Sequence, residues 1–499
     1  MTSAARQIVF VCPRLTGESL RAARALKQMD SVRLFVICAQ SPAVDINKHK
    51  DPLFADLILV GNIFHADQLL AAARQLMQKH GALERLVTVQ ETLLLPVAQA
   101  GETLRLPGLG VTAARRTLDK TRCKQTLRDA GIGVALDRVI TSATEADAFV
   151  NQVGFPIVLK PPGGSGALAT WRIRNREQLR LALELLRPDR HNPVLAEDYL
   201  EGRELCIDTI TLAGEPRLHA LCRYSPSILE ALERPVVQWR CVIPRETDDA
   251  GCQHFIKQGL QAVRALSPGN AFTHMEGFLL DDGSVRFTDA TLRPAGARIG
   301  PMFGYAYGFD SHRAWAKLTL DGRFDGPRKH LYAVGTIFLR GPGAGRIESV
   351  KGLETIKQHV GELVVDSRLP RIGAAKAATY TGDGFITLRH PDTQVVNRAL
   401  DTIARTVVIG YTRQSTRKQT SRYPHPPTAA QPSHLDMSSI KTTKNTMIDN
   451  IAGDGTTLRN EWAHRLDHID RQHNRPIWED DANPTLDTLP PADKQPSEV

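Results

Sequence analysis

The sequence predicts a chain of several domains in the mixed α/β and α+β class. Three observations carry that expectation. The first 110 residues alternate short apolar strands with helical stretches, as a parallel sheet with crossover helices requires. Residues 272–300 read as a β-hairpin, which joins antiparallel strands. Of the 499 residues, 42% are hydrophobic and 23% charged, ordinary for a globular protein with room for several domains and a sizeable core.

Charge and cysteine usage narrow the function classes. A net charge of +9 is modest for this length; it suits anionic substrates and gives little support to a nucleic-acid partner. The seven cysteines are scattered and form no CxxC pair, which argues against a zinc site or a disulfide framework and for free thiols in a reducing compartment. The start, MTSAARQIVFVC, lacks the apolar core of a signal peptide. No apolar run approaches the ~20 residues that span a bilayer. A cytoplasmic protein with no membrane partner is expected.

In residues 1–110 the predicted strands are Ile8 to Cys12, Val32 to Cys38, Leu57 to Val60 and Leu86 to Val89. A helix begins near Gly17, and Leu69, Ala72 and Leu76 repeat at helical spacing between His65 and His80. No Gly-x-Gly-x-x-Gly follows the first strand, which disfavours a dinucleotide fold. Residues 111–190 form a small mixed lobe. Leu118-Asp119-Lys120 opens a helix to Asp129, and Val158-Leu159-Lys160 ends a strand. A glycine-rich loop, Pro161 to Ala167, follows. Asn175 then caps a helix, with Gln178 three residues on and Leu179, Leu183 and Leu186 as its inward stripe. A glycine-rich turn beside a lysine can cradle phosphates, because small residues let backbone N–H groups approach the oxygens. No Gly-Lys-Ser/Thr closes it, so it is not a Walker A loop. Taken alone, such a cluster is more often a plain loop, and Lys120 and Lys160 are solvated lysines.

Residues 191–329 carry Val194 to Leu200, the turn Glu201-Gly202-Arg203-Glu204, a strand pair (Leu205 to Leu212, Arg217 to Cys222) and an amphipathic helix marked by Ile256, Leu260, Val263 and Leu266. A carboxylate such as Glu204 suits a ribose diol, since it accepts two hydroxyl hydrogen bonds; taken alone, such a residue is more often an exposed turn glutamate. The hairpin follows. Asp282-Gly283 favours a type I′ turn with Asp281 paired to Ser284. That register sets Val285 opposite Leu280, Phe287 opposite Phe278, Asp289 opposite Glu276, Thr291 opposite His274 and Arg293 opposite Phe272, all on one face. The opposed carboxylates then lie with Cβ atoms roughly 5 Å apart, which is destabilising unless a cation compensates. A divalent cation with oxygen ligands fits there, with Arg293 further along to hold an anion. Taken from the hairpin alone, a wet sheet face is the more common case. Residues 330–411 add strands Val334 to Leu339 and Phe385 to Leu388 and a helix from Val395 to Val408, with no chemical motif. Residues 412–499 are basic, Pro-rich and polar; a largely disordered tail is expected, with a short helix near Leu458 to Ile469.

The ordered set LDK (118–120), the strand-lysine-glycine stretch Ile157 to Ala167, Glu197…Glu204 and HMEGF…FTDATLRPAG resembles the ATP-grasp superfamily of carboxylate–amine ligases, over roughly residues 8–410. The likeness is greatest to the bacterial L-amino-acid ligases, which make dipeptides. It implies an ATP-grasp fold with an N-terminal pre-ATP-grasp α/β domain (1–110), a small lobe (111–190), a large lobe bearing the hairpin (191–329), a C-terminal α+β module (330–411) and the tail (412–499). It implies that Lys120 and Lys160 contact ATP phosphates while Gly163, Gly164, Ser165 and Gly166 close over them as a lid. Glu197 would border the adenine and Glu204 the ribose. Glu276, Asp289 and Thr291 would ligate Mg2+, with Mn2+ as a substitute. Arg293 would steady the phosphoryl group, and Arg298 would help bind a substrate carboxylate. The implied reaction joins a small-molecule carboxylate to an amine through an acyl phosphate, with an amino acid as one substrate, and releases ADP and phosphate. A homodimer is the implied assembly. Two residues depart from the family pattern: Asp289 stands where glutamate is usual, and Thr291 where asparagine is common. They keep open an ATP-binding scaffold without catalysis. A biotin-carboxylase-like carboxylase is the third reading, although no Met-Lys-Met biotin-attachment signature occurs.

Overall fold

The computed structural model describes residues 5–40, 53–163, 169–247 and 249–412. Strands Arg6–Cys12, Val32–Ala39, Asp56–Val60 and Arg85–Val87 form a parallel sheet, in the order third, second, first, fourth. Residues 8–12 of the first strand are wholly buried. A continuous apolar run of this kind is what helices on both faces of a parallel sheet demand. Helix Ala66–His80 buries Leu69, Ala72 and Leu76 against it, as their spacing predicts.

The small lobe is a four-stranded antiparallel sheet of Asp137–Ile140, Val194–Asp198, Ile157–Lys160 and Trp171–Ile173. Val194–Asp198 pairs within it, so this sheet extends past residue 190. Helix Lys120–Asp129 starts where the sequence predicts, because Asp119 accepts hydrogen bonds from the Thr121 and Arg122 amides. Asn175 caps the next helix through the Gln178 amide.

The large lobe is built on an eight-stranded antiparallel sheet. Its order is Val285–Thr291, Ala271–Leu280, Gly202–Leu212, Glu215–Ser225, Trp239–Ile243, Ala333–Leu339, Gly384–His390, Val364–Arg368. The last three strands come from the predicted C-terminal module. They continue the large-lobe sheet, while the segment's other two strands, Ile347–Lys351 and Val408–Tyr411, pair as a small antiparallel sheet. Helix Ala250–Leu266 covers one face, packing Phe255, Val263 and Leu266 with Ile207, Met275 and Phe287. Among the described residues no helix is long and apolar enough to cross a membrane.

The hairpin departs from its predicted register near the turn and returns to it at the carboxylates. Gly283 N–H donates to the Leu280 carbonyl at 3.0 Å, and of the turn residues only Gly283 has positive φ (82°). A type I′ turn needs positive φ at both central residues, so the tip is instead a three-residue loop, Asp281 to Gly283, with Gly283 in the left-handed region, and Leu280 pairs with Ser284. Val285 therefore opposes Leu279, not Leu280, and Phe287 opposes Gly277, not Phe278. A bulge then inserts Thr288, whose hydroxyl donates to the Glu276 carbonyl at 3.3 Å. Beyond it Glu276 opposes Asp289 and His274 opposes Thr291, as predicted. The ladder ends there, so Arg293 lies past the strand and does not face Phe272. Gly277 is required at the bulge: a Cβ there would lie 2.7 Å from the Arg286 carbonyl oxygen.

The bulge sends the two phenylalanines to different places. Phe287 is wholly buried in the core, whereas Phe278 lines the cleft described below. Phe287→Ala is expected to cost about 3–5 kcal/mol in urea unfolding, and Phe278→Ala less than half of that. Equal losses would contradict this register.

Candidate active site

A cleft of about 280 Å3 opens between the two lobes. The hairpin supplies its floor, with Glu276, Asp289 and Thr291. The small lobe supplies Lys120, Lys160, Gly163 and Glu197, and Glu204 and Arg293 complete the set. Nine residues singled out from the sequence are thus brought together. Gly164, Ser165, Gly166 and the tail from residue 413 lie outside the described residues. Arg172 ties the lobes at one end, pairing with Glu233 and donating to Tyr199 OH at 2.8 Å.

Ion pairs join most of the charged groups in the cleft. Lys120 is buried on the Asp289 carboxylate. Burial opposes its charge, but Asp289 and Glu91 outweigh that and raise its pKa above the ordinary lysine value. Glu197 takes Lys124 on one oxygen and Lys160 Nζ on the other, the latter at 2.7 Å. Burial would raise the Glu197 carboxyl; the two ammonium groups reverse this and hold it at about 2. Burial also lowers the Lys160 pKa.

The hairpin carboxylates are held unequally. Glu276 Oε1 accepts from Tyr224 OH at 2.9 Å and lies 3.2 Å from His274 Nε2. His274 Nδ1 is 3.2 Å from Asp208 on the neighbouring strand. Burial would neutralise this imidazole, but Asp208 keeps its pKa well above the usual histidine value. Glu276 consequently stays ionised, at about 2, against its own desolvation. Glu204 goes the other way. It accepts from the Ile228 amide at 2.6 Å, yet burial and the nearby Glu276 charge push it up to about 8.

The donor set suits a hard cation. Glu276 and Asp289 offer oxygens from directly opposed positions, and Thr291 Oγ1 is buried with no hydrogen-bond partner among the described residues. An orphaned buried hydroxyl beside two carboxylates is what an oxygen-seeking cation such as Mg2+ would satisfy.

A second cavity of about 200 Å3 adjoins the cleft, sharing Glu91, Arg293 and Gly296 with it. Its other walls include Glu18, His312 and Trp315. Arg293 Nη2 meets Glu91 at 2.6 Å. Arg298, expected near a substrate carboxylate, lines neither cavity. It pairs with Glu18 at 2.9 Å and with Asp366, and stacks over Phe385 at 4.7 Å. Those contacts bind the N-terminal domain to the last strand of the large sheet.

Sequence reasoning passed over Glu91, Lys124, Asp208, Tyr224 and Tyr380, the last reaching the cleft from the C-terminal segment. Only Lys124 carried a local signal, since it stands one helical turn after Lys120. The others arrive through long-range packing.

No family model matches the chain. In sequence it is similar to an alanine–anticapsin ligase of Bacillus subtilis, at 23% identity over 263 residues, covering 48% of this chain and 54% of that one. It is also similar to D-alanine–D-alanine ligase A of Chromobacterium violaceum, at 27% over 207 residues, 38% of this chain and 54% of that one. The chain thus spans about half the length of the curated relatives it matches. Among solved structures, an L-amino acid ligase from Bacillus licheniformis superposes with a TM-score of 0.67 at 18% identity, over 83% of this chain and all of that one. The biotin carboxylase domain of a Hydrogenobacter thermophilus 2-oxoglutarate carboxylase, solved with MgADP and bicarbonate, gives 0.60 at 16% identity, over 82% and 91%.

The unequal carboxylates make a prediction about stability. The folded-state pKa of Glu204, about 8, stands above the unfolded value of about 4.3. Between those values the folded chain keeps a proton that the unfolded chain has released. Stability therefore falls as pH rises from about 4.3 to about 8 and levels beyond. Glu204→Gln removes that loss, so its melting temperature should exceed wild type by a margin that grows from pH 5 to pH 8. Parallel melting curves across that range would refute the assignment. With the cleft in view, the chain has the ATP-grasp fold, and it resembles the carboxylate–amine ligases of that superfamily.

Proposed function

We infer that the protein is an ATP-dependent carboxylate–amine ligase that forms an amide or peptide bond and releases ADP and phosphate. The carrying observation is the directly opposed pair Glu276 and Asp289 in a cleft that also gathers Lys120, Lys160 and Glu204. The sequence relatives are ligases of amino acids by name, which supports an amino acid as one substrate.

A carboxylate does not react with an amine at neutral pH, because its leaving group is an oxide. Transfer of the ATP γ-phosphoryl group to the carboxylate gives an acyl phosphate. The amine attacks the acyl carbon, the C–O bond breaks, and phosphate leaves with the electron pair. Catalysis of this kind is mainly positioning and charge stabilisation. Lys120 and Lys160 hold the phosphates, and Glu204 accepts from the ribose hydroxyls. Glu276, Asp289 and Thr291 would hold Mg2+, which offsets negative charge on the phosphates when bound. Arg293 stands where the cleft meets the second cavity and can orient the acyl-phosphate oxygens. That cavity has carboxylates (Glu18, Glu91) beside Arg293 and an apolar wall at Trp315. Those carboxylates are paired with Arg293 and His312, so the walls offer charge of both signs, which suits a small zwitterion. A homodimer remains the expected assembly.

The test is ADP release from MgATP with pools of amino acids and small carboxylic acids, beside a Glu276→Gln control. ADP is expected with a particular acid and amine pair and should fall at least about 100-fold in the control, as loss of a main electrostatic contributor does. AMP in place of ADP would overturn the acyl-phosphate route. ATP binding without turnover would favour the scaffold reading.

A further inference from the structure

Both oxygens of Asp289 are engaged by the protein itself. Oδ1 accepts from the Ala290 amide at 3.0 Å, and Oδ2 takes the Lys120 ammonium. Glu276, across the ladder, is held by Tyr224 and His274 through Oε1 alone. The Lys120 side chain is 8% exposed, so it has little freedom to leave without a new anionic partner. Its backbone amide donates to the Pro162 carbonyl at 3.3 Å, just ahead of the glycine-rich stretch. The ammonium therefore stands on the second of the two opposed carboxylates, beside the orphaned Thr291 hydroxyl. Two cations competing for one carboxylate oxygen in a buried cleft repel strongly.

We propose that Lys120 closes Asp289 to divalent cations until nucleotide phosphates draw its ammonium away, so that the cation binds with the nucleotide and not ahead of it. The proposal rests on reading the cleft as a nucleotide site. It gives Lys120 a gating role on Asp289 distinct from phosphate contact. Lys160 supplies the contrast: its ammonium pairs with Glu197 at 2.7 Å, and among the described residues no ion pair joins it to Glu276 or Asp289, although the Asp289 charge acts on it through space.

The experiment titrates Mn2+ into the full-length protein and reads free Mn2+ by electron paramagnetic resonance, with and without a non-hydrolysable ATP analogue. Without nucleotide, wild type and Lys160→Met should bind Mn2+ weakly. Lys120→Met should bind at least about tenfold tighter, a change of about 1.4 kcal/mol. Asp289→Asn on the Lys120→Met background should abolish the gain and so locate it. Lys120→Gln, checked for a wild-type melting profile, serves if the methionine variant does not fold. No gain in either Lys120 variant overturns the proposal, and so does tight nucleotide-free Mn2+ binding by wild type. If the analogue fails to promote Mn2+ binding in wild type, the nucleotide-site reading itself falls, and the proposal with it.

Discussion

Two carboxylates that face each other across one hairpin set the terms for the rest of this molecule. Glu276 and Asp289 cannot both stay ionised in a partly buried cleft without positive neighbours. The chain supplies those neighbours from different segments. Lys120 reaches Asp289 from the start of a small-lobe helix. His274 reaches Glu276 along the same strand and is itself kept charged by Asp208 one strand over. Lys124 and Lys160 converge on Glu197, so this cluster of the small lobe keeps one surplus positive charge at the cleft. Buried pairs of this sort add little net stability, because desolvation cancels most of their attraction. Removing either member would leave an unpaired buried charge. What the network contributes is position.

The same logic operates between domains. Arg293 leaves the hairpin and meets Glu91, which follows the last strand of the N-terminal sheet. Arg298, with Ala297 before it, sits in left-handed backbone at the head of helix Ile299–Tyr307. That strained turn aims its guanidinium between Glu18 and Asp366. Glu18 in turn takes His312 at 2.6 Å. Burial would raise the Glu18 carboxyl, yet His312, Arg21 and Arg298 hold it well below the usual carboxylate range. The walls of the second cavity are thus fixed by ion pairs that span the N-terminal domain, the large lobe and the far edge of the large sheet.

Much of this was legible in the sequence, for identifiable reasons. The Asn175 and Gln178 capping signal marks the helix start correctly, and the helix expected to open at Leu118-Asp119-Lys120 does begin at Lys120. Alternation along the hairpin sets Glu276 opposite Asp289, although by a different turn and bulge from those that form. The assumed turn displaced the register by one residue at Leu280 and Val285, and the Thr288 bulge restored it. Turn type and bulge position depend on backbone conformation, which dipeptide preference only biases. Glu91, Asp208 and Tyr380 were invisible because their importance comes from packing, not from spacing. Arg298 stood close to a recognisable motif, but its partners are 280 and 68 residues away. Three strands of residues 330–411 join the large-lobe sheet while two pair with each other, because a sequence shows strands, not which sheet they join.

The acids of the cleft show how one set of residue types can serve different purposes. Glu276 and Glu204 are both glutamates on adjacent strands, and both are half-buried in the cleft. Desolvation pushes both pKa values up. Only Glu276 has a charged imidazole and a phenol to reverse the effect, so it remains an anion and suits a cation. Glu204 has one backbone amide, and the retained charge on Glu276 drives it further toward the neutral form. A carboxyl group that holds a proton near neutral pH can both donate and accept, which matches a pair of hydroxyls. Divergent pKa values in neighbouring acids are a recurrent mark of divided labour. Here the division follows from His274, so this histidine controls the state of two acids while touching only one of them.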